Sequence, residues 1–292
     1  MSVLDDAVPG KQPSYYRWYA VGMLALVYTS SQVDRQIMGI LLEPIKQDLG
    51  ATDTQMGFLI GLTFALFYAT LGIPIAMIAD RSNRRNIIAL AISIWSVMTV
   101  LCGFVTSFVQ MALARIGVAI GEAGSTPPSH SIISDLFQPH ERATAMGLFV
   151  VGANVGILIA YLGGGWMADN LGWRMAFVVV GVPGLLIALL LMFTVKEPER
   201  SSAGSSESDN KKNAATLRET FAFIFKNRTL RQIMIGKSLG AFVGYGMVLW
   251  VPAFLARSHG LSSTEIGLTL ALMIGIGGGI GTLLSGRIVD YL

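Results

Sequence analysis

Apolar residues run in stretches long enough to cross a bilayer, separated by short polar loops. A spanning helix needs about 20 such residues. Eight stretches qualify: Trp18–Leu42, Thr54–Ala79, Asn86–Val105, Phe108–Leu136, Ala143–Trp166, Met175–Val195, Arg231–Leu255 and Thr264–Ile288. The second carries no charge from Gln55 to Ala79, and Thr52-Asp53-Thr54-Gln55 before it reads as a capping box, in which a Thr side chain and a Gln three residues on satisfy each other's backbone. The third and fourth form one uncharged run broken near Thr106-Ser107. A tight hairpin there is the preferred reading; one helix over 86–114 is the alternative.

The polar positions between the stretches set orientation and domain limits. Lys and Arg in short loops mark the cytoplasmic side. Arg81, Arg84 and Arg85 follow segment two, and Lys196, Arg200, Lys211, Lys212 and Arg218 follow segment six. The loop between segments one and two sets Lys46 against Glu43, Asp48 and Asp53. Basic loops alternate with poor ones, so the N-terminus is expected in the cytoplasm, with Tyr15, Tyr16 and Trp18 as interfacial anchors. Residues 1–17 read as a cytoplasmic tail and 18–195 as a six-helix bundle. Residues 196–230 read as a cytoplasmic linker, and 231–292 as the first two helices of a second bundle. Glu197 to Asn213 is Ser-rich and broken by Pro198 and Gly204, which predicts a flexible connection. Leu217–Phe225 predicts a short interfacial helix.

Composition agrees with a helical membrane protein. Of 292 residues, 53% are hydrophobic and only 13% charged, against about 25% charged in soluble domains. A net charge of +3 spread over loops offers no basic face for nucleic acid. The single cysteine, Cys102, excludes an internal disulfide and leaves the redox compartment open. Met1 to Ser14 has no signal-peptide pattern.

The chain also repeats itself. Displaced by 210 residues, Gly50 falls on Gly260, Thr52 on Ser262, Thr54 on Thr264, Gly57 on Gly267, Leu62 on Leu272, Ile78 on Ile288 and Asp80 on Asp290. Two halves joined by a polar linker are the pattern of transporters built from repeated bundles. Only counterparts of segments one and two follow the linker, so eight helices of an expected twelve are present.

Four charges sit deep inside apolar segments, away from their ends: Asp34 and Arg35 in the first, Arg115 and Glu122 in the fourth. Ionisable groups in hydrocarbon are costly and mark solute paths or proton relays. Asp34 lies sixteen residues past Trp18, roughly 24 Å along its helix. Arg115 should lie at similar depth, with Glu122 on nearly the same face about 10 Å further in. Two acids and two bases sum to zero. One reading is a static network tying two helices together. The other makes Glu122 the proton carrier, with Asp34 the second candidate unless neighbouring Arg35 holds it ionised. Pro127-Pro128 should kink the fourth helix, with Ser125 or Thr126 satisfying freed backbone groups. Lys237 is expected to snorkel, and His130 to pack between helices. Tyr68, Asn154 and Trp250 are candidate cavity-lining residues. No cluster suits a metal, and no nucleophile–base pair or phosphate loop suggests an enzyme.

Ala76-Met-Ile-Ala-Asp80-Arg81-Ser-Asn83-Arg84-Arg85 resembles the loop two–three signature of the major facilitator superfamily, and Gly286-Arg-Ile-Val-Asp290 its second copy. Ala76 and Asn83 replace signature glycines; Asn tolerates positive φ. The plain alternative is a topology-setting basic loop. Within the superfamily the chain resembles the spinster-like branch over about residues 18–198. The likeness rests on Val33-Asp34-Arg35, on Ala114-Arg115-Ile-Gly-Val-Ala-Ile-Gly-Glu122-Ala-Gly-Ser-Thr126-Pro127, on Pro139-His-Glu-Arg142-Ala and on Gly152-Ala-Asn154-Val-Gly156. Gly147, Gly156 and Gly164 fit the antiporter signature, but Ala160 and Tyr161 stand where Gly and Pro would; close helix packing explains the small residues.

The resemblance implies an all-α integral membrane protein with a major-facilitator helical bundle. It implies alternating access driven by a proton gradient, with no cofactor. The expected solute is lipid-like or amphiphilic, as in the spinster-like branch. The alternative is a small organic anion or sugar derivative held by Arg35 and Arg115. A membrane scaffold or receptor is the non-transport alternative. Asp80, Arg81, Arg84, Arg85, Asp135 and Asp290 are expected to form a cytoplasmic gate. The full-length protein is expected to be a monomer among membrane lipids, in a bacterial inner membrane.

Overall fold

A computed structural model describes residues 13–79, 81–199 and 217–278. Among them every regular element is helical. The first compact unit comprises residues 13–198 and 252–278 of those described. Its helices are α1 (Ser14–Ile40), α2 (Leu42–Leu49), α3 (Asp53–Ala79), α4 (Arg84–Cys102), α5 (Phe108–Glu122), α6 (Thr126–Leu136), α7 (Pro139–Asn170) and α8 (Gly172–Thr194). The second unit holds α9 (Leu217–Lys226) and the first part of α10 (Arg228–His259). The remainder of α10 and all of α11 (Ser263–Gly277) belong to the first unit.

Five of these helices, α3, α4, α7, α8 and α10, are long and apolar enough to span a membrane. Of the other three expected spans, the eighth (Thr264–Ile288) extends beyond the described residues, and two fall short for identifiable reasons. α1 has the length but carries Gln32, Asp34, Arg35 and Gln36. The fourth segment is two helices, α5 and α6, with a break at Ala123–Ser125 rather than the expected kink. The prolines explain the position of the break. Pro127 and Pro128 lack N–H groups, and their rings clash with the carbonyls four residues back, at Ala123 and Gly124. Ser125 Oγ donates to the Glu122 carbonyl at 3.0 Å and Ser129 Oγ to the Ser125 carbonyl at 2.7 Å. These bonds recover backbone acceptors that the break exposes.

Between α4 and α5 the chain turns through Gly103–Thr106, the tight hairpin of the preferred reading. Ser107 caps α5 by accepting from Gln110 N at 3.4 Å. The repeat is visible in the backbone. Gly50 and Gly260 both adopt positive φ, 60° and 65°. Each precedes a reciprocal capping box, Thr52 with Gln55 and Ser262 with Glu265. Each helix then passes through a π-turn, Phe58–Thr63 in α3 and Ala271–Gly277 in α11, a feature without a sequence signal.

The core is shared among α1, α4, α5, α6, α7 and α8. Ala20, Leu24 and Val27 meet Ile88, Ile92 and Trp95, with Val118, Ile132, Phe149 and Leu191 closing the cluster. α7 lies close against α1 because it offers glycine there. A Cβ at Gly152 or Gly156 would collide with the Ala25 or Thr29 carbonyl. Outward faces are apolar: α8 presents Leu186, Leu189, Leu190 and Phe193, the last 82% exposed. Such faces are unfavourable in water and suited to lipid.

Candidate functional site

The central site is built by two neighbours on α1. Adjacent helical residues point about 100° apart, so Asp34 and Arg35 reach different partners. Asp34, 1% exposed, takes a hydrogen bond on Oδ1 from Arg115 Nη1 at 2.7 Å and one on Oδ2 from the Thr99 hydroxyl. Arg35 Nε donates to Glu122 Oε2 at 2.5 Å, and Ser31 Oγ donates to the same oxygen at 2.9 Å. Glu122 is fully buried, and its Oε1 has no hydrogen-bond partner. The four charges therefore pair crosswise between α1 and α5. It is Arg115, rather than the sequence neighbour Arg35, that holds Asp34. Arg115 and Glu122 lie two turns apart on one face of α5, so one helix serves both pairs.

Helix α3 supplies a ring wall. The Arg35 guanidinium carbon is 4.7 Å from the Tyr68 ring centroid and 5.1 Å from that of Phe64. The Arg115 guanidinium carbon is 5.9 Å from Phe64. Phe64 and Tyr68, one turn apart, are near-parallel at 16° with centroids 5.8 Å apart. Tyr68 is among the residues the sequence singles out; Phe64 is not, although an aromatic pair at i, i+4 on a charge-free helix is its available signal.

A second cluster sits where α3 turns into α4. Arg84, 2% exposed, pairs with Asp135. It also donates to Glu197 Oε1 at 2.6 Å, Ser131 Oγ at 2.8 Å and the Pro198 carbonyl at 3.0 Å. Arg85 donates its backbone N–H to Glu197 Oε2 at 2.9 Å and its side chain to the Val195 carbonyl at 3.3 Å. Glu197 and Pro198, expected to begin a flexible linker, are thus docked into this cluster: Glu197 is the second carboxylate that a buried arginine with several donors requires. Asn83 does not use positive φ; at φ −71° it caps α4 by accepting from Asn86 N at 2.9 Å. Arg81 is exposed on the turn. Asp80 and Asp290 lie outside the described residues.

At the opposite end of the first unit a third cluster forms, whose acids and lysine served in the sequence only to score a loop. Arg257 grips Asp53 through both oxygens, at 2.7 and 3.0 Å, and reaches Glu43 at 2.6 Å. Lys46 adds a 2.7 Å contact to Asp53. Asp169 at the end of α7 accepts from the Thr264 backbone and hydroxyl, each at 2.7 Å, fastening the start of α11. His130 stands edge-on to Phe149 with centroids 5.3 Å apart, while Lys237 is exposed on α10. Among the described residues no three metal-ligating side chains converge.

Comparison with known proteins follows the same lines. The Major Facilitator Superfamily model matches residues 24–292. An "MFS-type efflux pump" of Mycolicibacterium smegmatis is 36% identical over 94% of this chain and 63% of its own length. A "Probable L-galactonate transporter" of Escherichia coli is 27% identical over 99% of the chain and 66% of its own length. The crystal structure of a bacterial homolog to the human lysosomal transporter Spinster, inward-facing and unoccupied, is 38% identical with a TM-score of 0.85, covering 96% of this chain and 64% of that one. The chain thus spans less than two thirds of the length of these relatives. With its apolar helices it is a multi-pass integral membrane protein of a family of transporters rather than enzymes. The chain belongs to the Major Facilitator Superfamily and is spinster-like within it.

Proposed function

We propose that the protein is part of a secondary transporter working by alternating access, in which proton binding at Glu122 drives movement of a lipid-like or amphiphilic organic solute. One observation carries this reading: Glu122 is fully buried, is paired through Oε2 alone, and keeps Oε1 unpartnered. A buried carboxylate with one idle oxygen is an expensive structural tie. Protonation would neutralise it, and the pair would then release Arg35 toward solute. Asp34, by contrast, fills both oxygens and serves as a second, more firmly held acid. Apolar helices with a recessed, partly exposed Arg35 suit an amphiphile whose charged head meets that cation while its tail lies along the bundle.

The cluster gathers Asp135 of α6 and Glu197 beyond α8 around Arg84 and Arg85, which follow the loop that the arginine count assigns to the cytoplasm, and it would lock that side of the bundle to its own linker. Asp80 and Asp290 would act at the same end, as repeat-related gate residues. A second reading is favoured by the relative named for L-galactonate and by the position of Arg35, whose side chain is 18% exposed while Glu122 is sealed. In it the solute is a small organic anion, such as a sugar acid, bound at Arg35.

The test is uptake by the full-length protein in vesicles with an imposed pH gradient, using lysolipids and sugar acids as parallel probes. Glu122→Gln keeps the shape and a hydrogen bond to Arg35 but cannot carry a proton. It is expected to abolish pH-driven uptake while solute binding persists. Normal pH-driven uptake by this variant would end the proton-carrier role, and the probe accumulated by the parent decides between the two solutes.

A further inference from the structure

We infer that Phe64 is a positioning residue that couples the two buried ion pairs, so that a change at Glu122–Arg35 is felt at Asp34–Arg115. The pairs share no hydrogen bond, and only the charge of Glu122 acts directly across to Arg115 and Asp34: Arg35 and Ser31 serve Glu122, whereas Arg115 and Thr99 serve Asp34. Phe64 is the ring that stands near both cations, at 5.1 Å from one guanidinium and 5.9 Å from the other. An aromatic face attracts a cation best where water is excluded. Of the two cations here, the Arg115 side chain is 4% exposed and that of Arg35 18%.

The location of Phe64 makes it more than a spacer. It is the first residue after the π-turn Phe58–Thr63, and π-turns recur at functional sites because they displace every downstream side chain relative to a regular helix. Thr63 at the end of that turn is 2% exposed, and its hydroxyl has no partner. The sequence therefore tolerates a costly buried polar group at the position that delivers Phe64 to the charges. Tyr68, one turn on and stacked on Phe64, stands over Arg35 and, of the two cations, has a ring contact with that one. It extends the wall without joining the pairs, and so provides an internal contrast.

The inference rests on reading Glu122 as the group that changes charge, and the experiment separates the two ideas because it needs no transport. Phenylglyoxal modifies accessible guanidinium groups, and peptide mass spectrometry resolves Arg35, Arg115 and Arg84 in the detergent-solubilised chain. Glu122→Gln stands in for the protonated state. With Phe64 present, it is expected to raise modification at Arg35 and at Arg115 by about three- to thirtyfold, the range that a lost cation–aromatic contact implies. In the Phe64→Leu background, Glu122→Gln is expected to raise Arg35 as before and Arg115 only by the smaller, direct effect of the lost Glu122 charge. Phe64→Tyr should restore the joint response, and Tyr68→Leu should leave it in place. Arg84, buried in a separate cluster, should keep its rate throughout, reporting an intact fold. An equal response of Arg115 with and without the Phe64 ring overturns the coupling role, as does an unchanged Arg115 when the ring is present. An unchanged Arg35 in every background counts instead against Glu122 as the group controlling that cation.

Discussion

The central cluster and the α3–α4 cluster both bury an arginine against carboxylates, yet they solve the problem of burial in opposite ways. Arg84 fills its fork. It has two carboxylates, a hydroxyl and a carbonyl as acceptors, and those carboxylates remain 15% and 22% exposed. The central acids are sealed, at 2% and 0% by side chain, and one Glu122 oxygen has no partner. A saturated cluster at a helix end resists change. A sealed and under-satisfied one is held at a cost that a proton would relieve. On these physical grounds the first region suits the locking role and the second the switching role proposed above, and the two should respond differently to mutation.

The largest effect belongs to the Asp34–Arg115 pair. Arg115→Leu leaves the Asp34 carboxyl in an apolar setting without its cation, and losing one member of a buried pair costs about 3–5 kcal/mol. Thermal unfolding in detergent should show a large drop in midpoint or a failure to express as folded protein. The double variant Arg115→Leu with Asp34→Leu removes both charges and should recover much of the loss. If the double variant is no better than the single one, Asp34 and Arg115 are not a coupled unit.

A smaller effect is expected at the other region. Arg84→Gln strips the cluster of its cation, but Asp135 and Glu197 can take up water. The loss should be nearer the 1.5–3 kcal/mol of roughly one charged hydrogen bond. Because Glu197 binds both Arg84 and Arg85, Arg84→Gln should also expose the 196–198 segment. Limited proteolysis would then cut faster near Glu197 in the variant. Unaltered cleavage there would mean that Arg85 alone holds the segment.

The two regions also differ in how far the sequence disclosed them. The apolar runs placed the helices, because length and hydropathy are local properties. The 210-residue displacement anticipated the matched glycines and capping boxes at Gly50, Thr52, Gly260 and Ser262, since each is a short local motif. The buried charges stood out as charges in hydrocarbon. Their crosswise pairing did not, because it depends on the azimuth of α1 against α5, which no local pattern encodes. Glu197 was hidden by composition: a polar residue before Pro198 and a serine-rich stretch reads as linker until a buried arginine is found to need it. The π-turn before Phe64 gave no signal, as its residues are ordinary apolar helix formers.

The smallest effect is expected at the Arg257 cluster, and its smallness tests whether burial is the variable that separates these regions. Arg257 has ideal fork geometry on Asp53 and a second acid in Glu43, so by contacts alone it rivals Arg84. Its side chain is 37% exposed, however, and Asp53 is 49% exposed. Exposed pairs are worth about 0–1 kcal/mol and are screened by salt. Arg257→Gln should therefore shift the unfolding midpoint little, and less still at high ionic strength. Its consequence should appear in conformation instead, because the contact joins α10 to the loop around α2 and a modest energy suffices to bias a two-state equilibrium severalfold. Spin labels near Glu43 and His259 should show a broadened distance distribution in the variant, with the parent shifting the same way as salt is raised. A midpoint loss as large as that of Arg84→Gln would show that contact geometry, and not burial, governs the strength of these clusters.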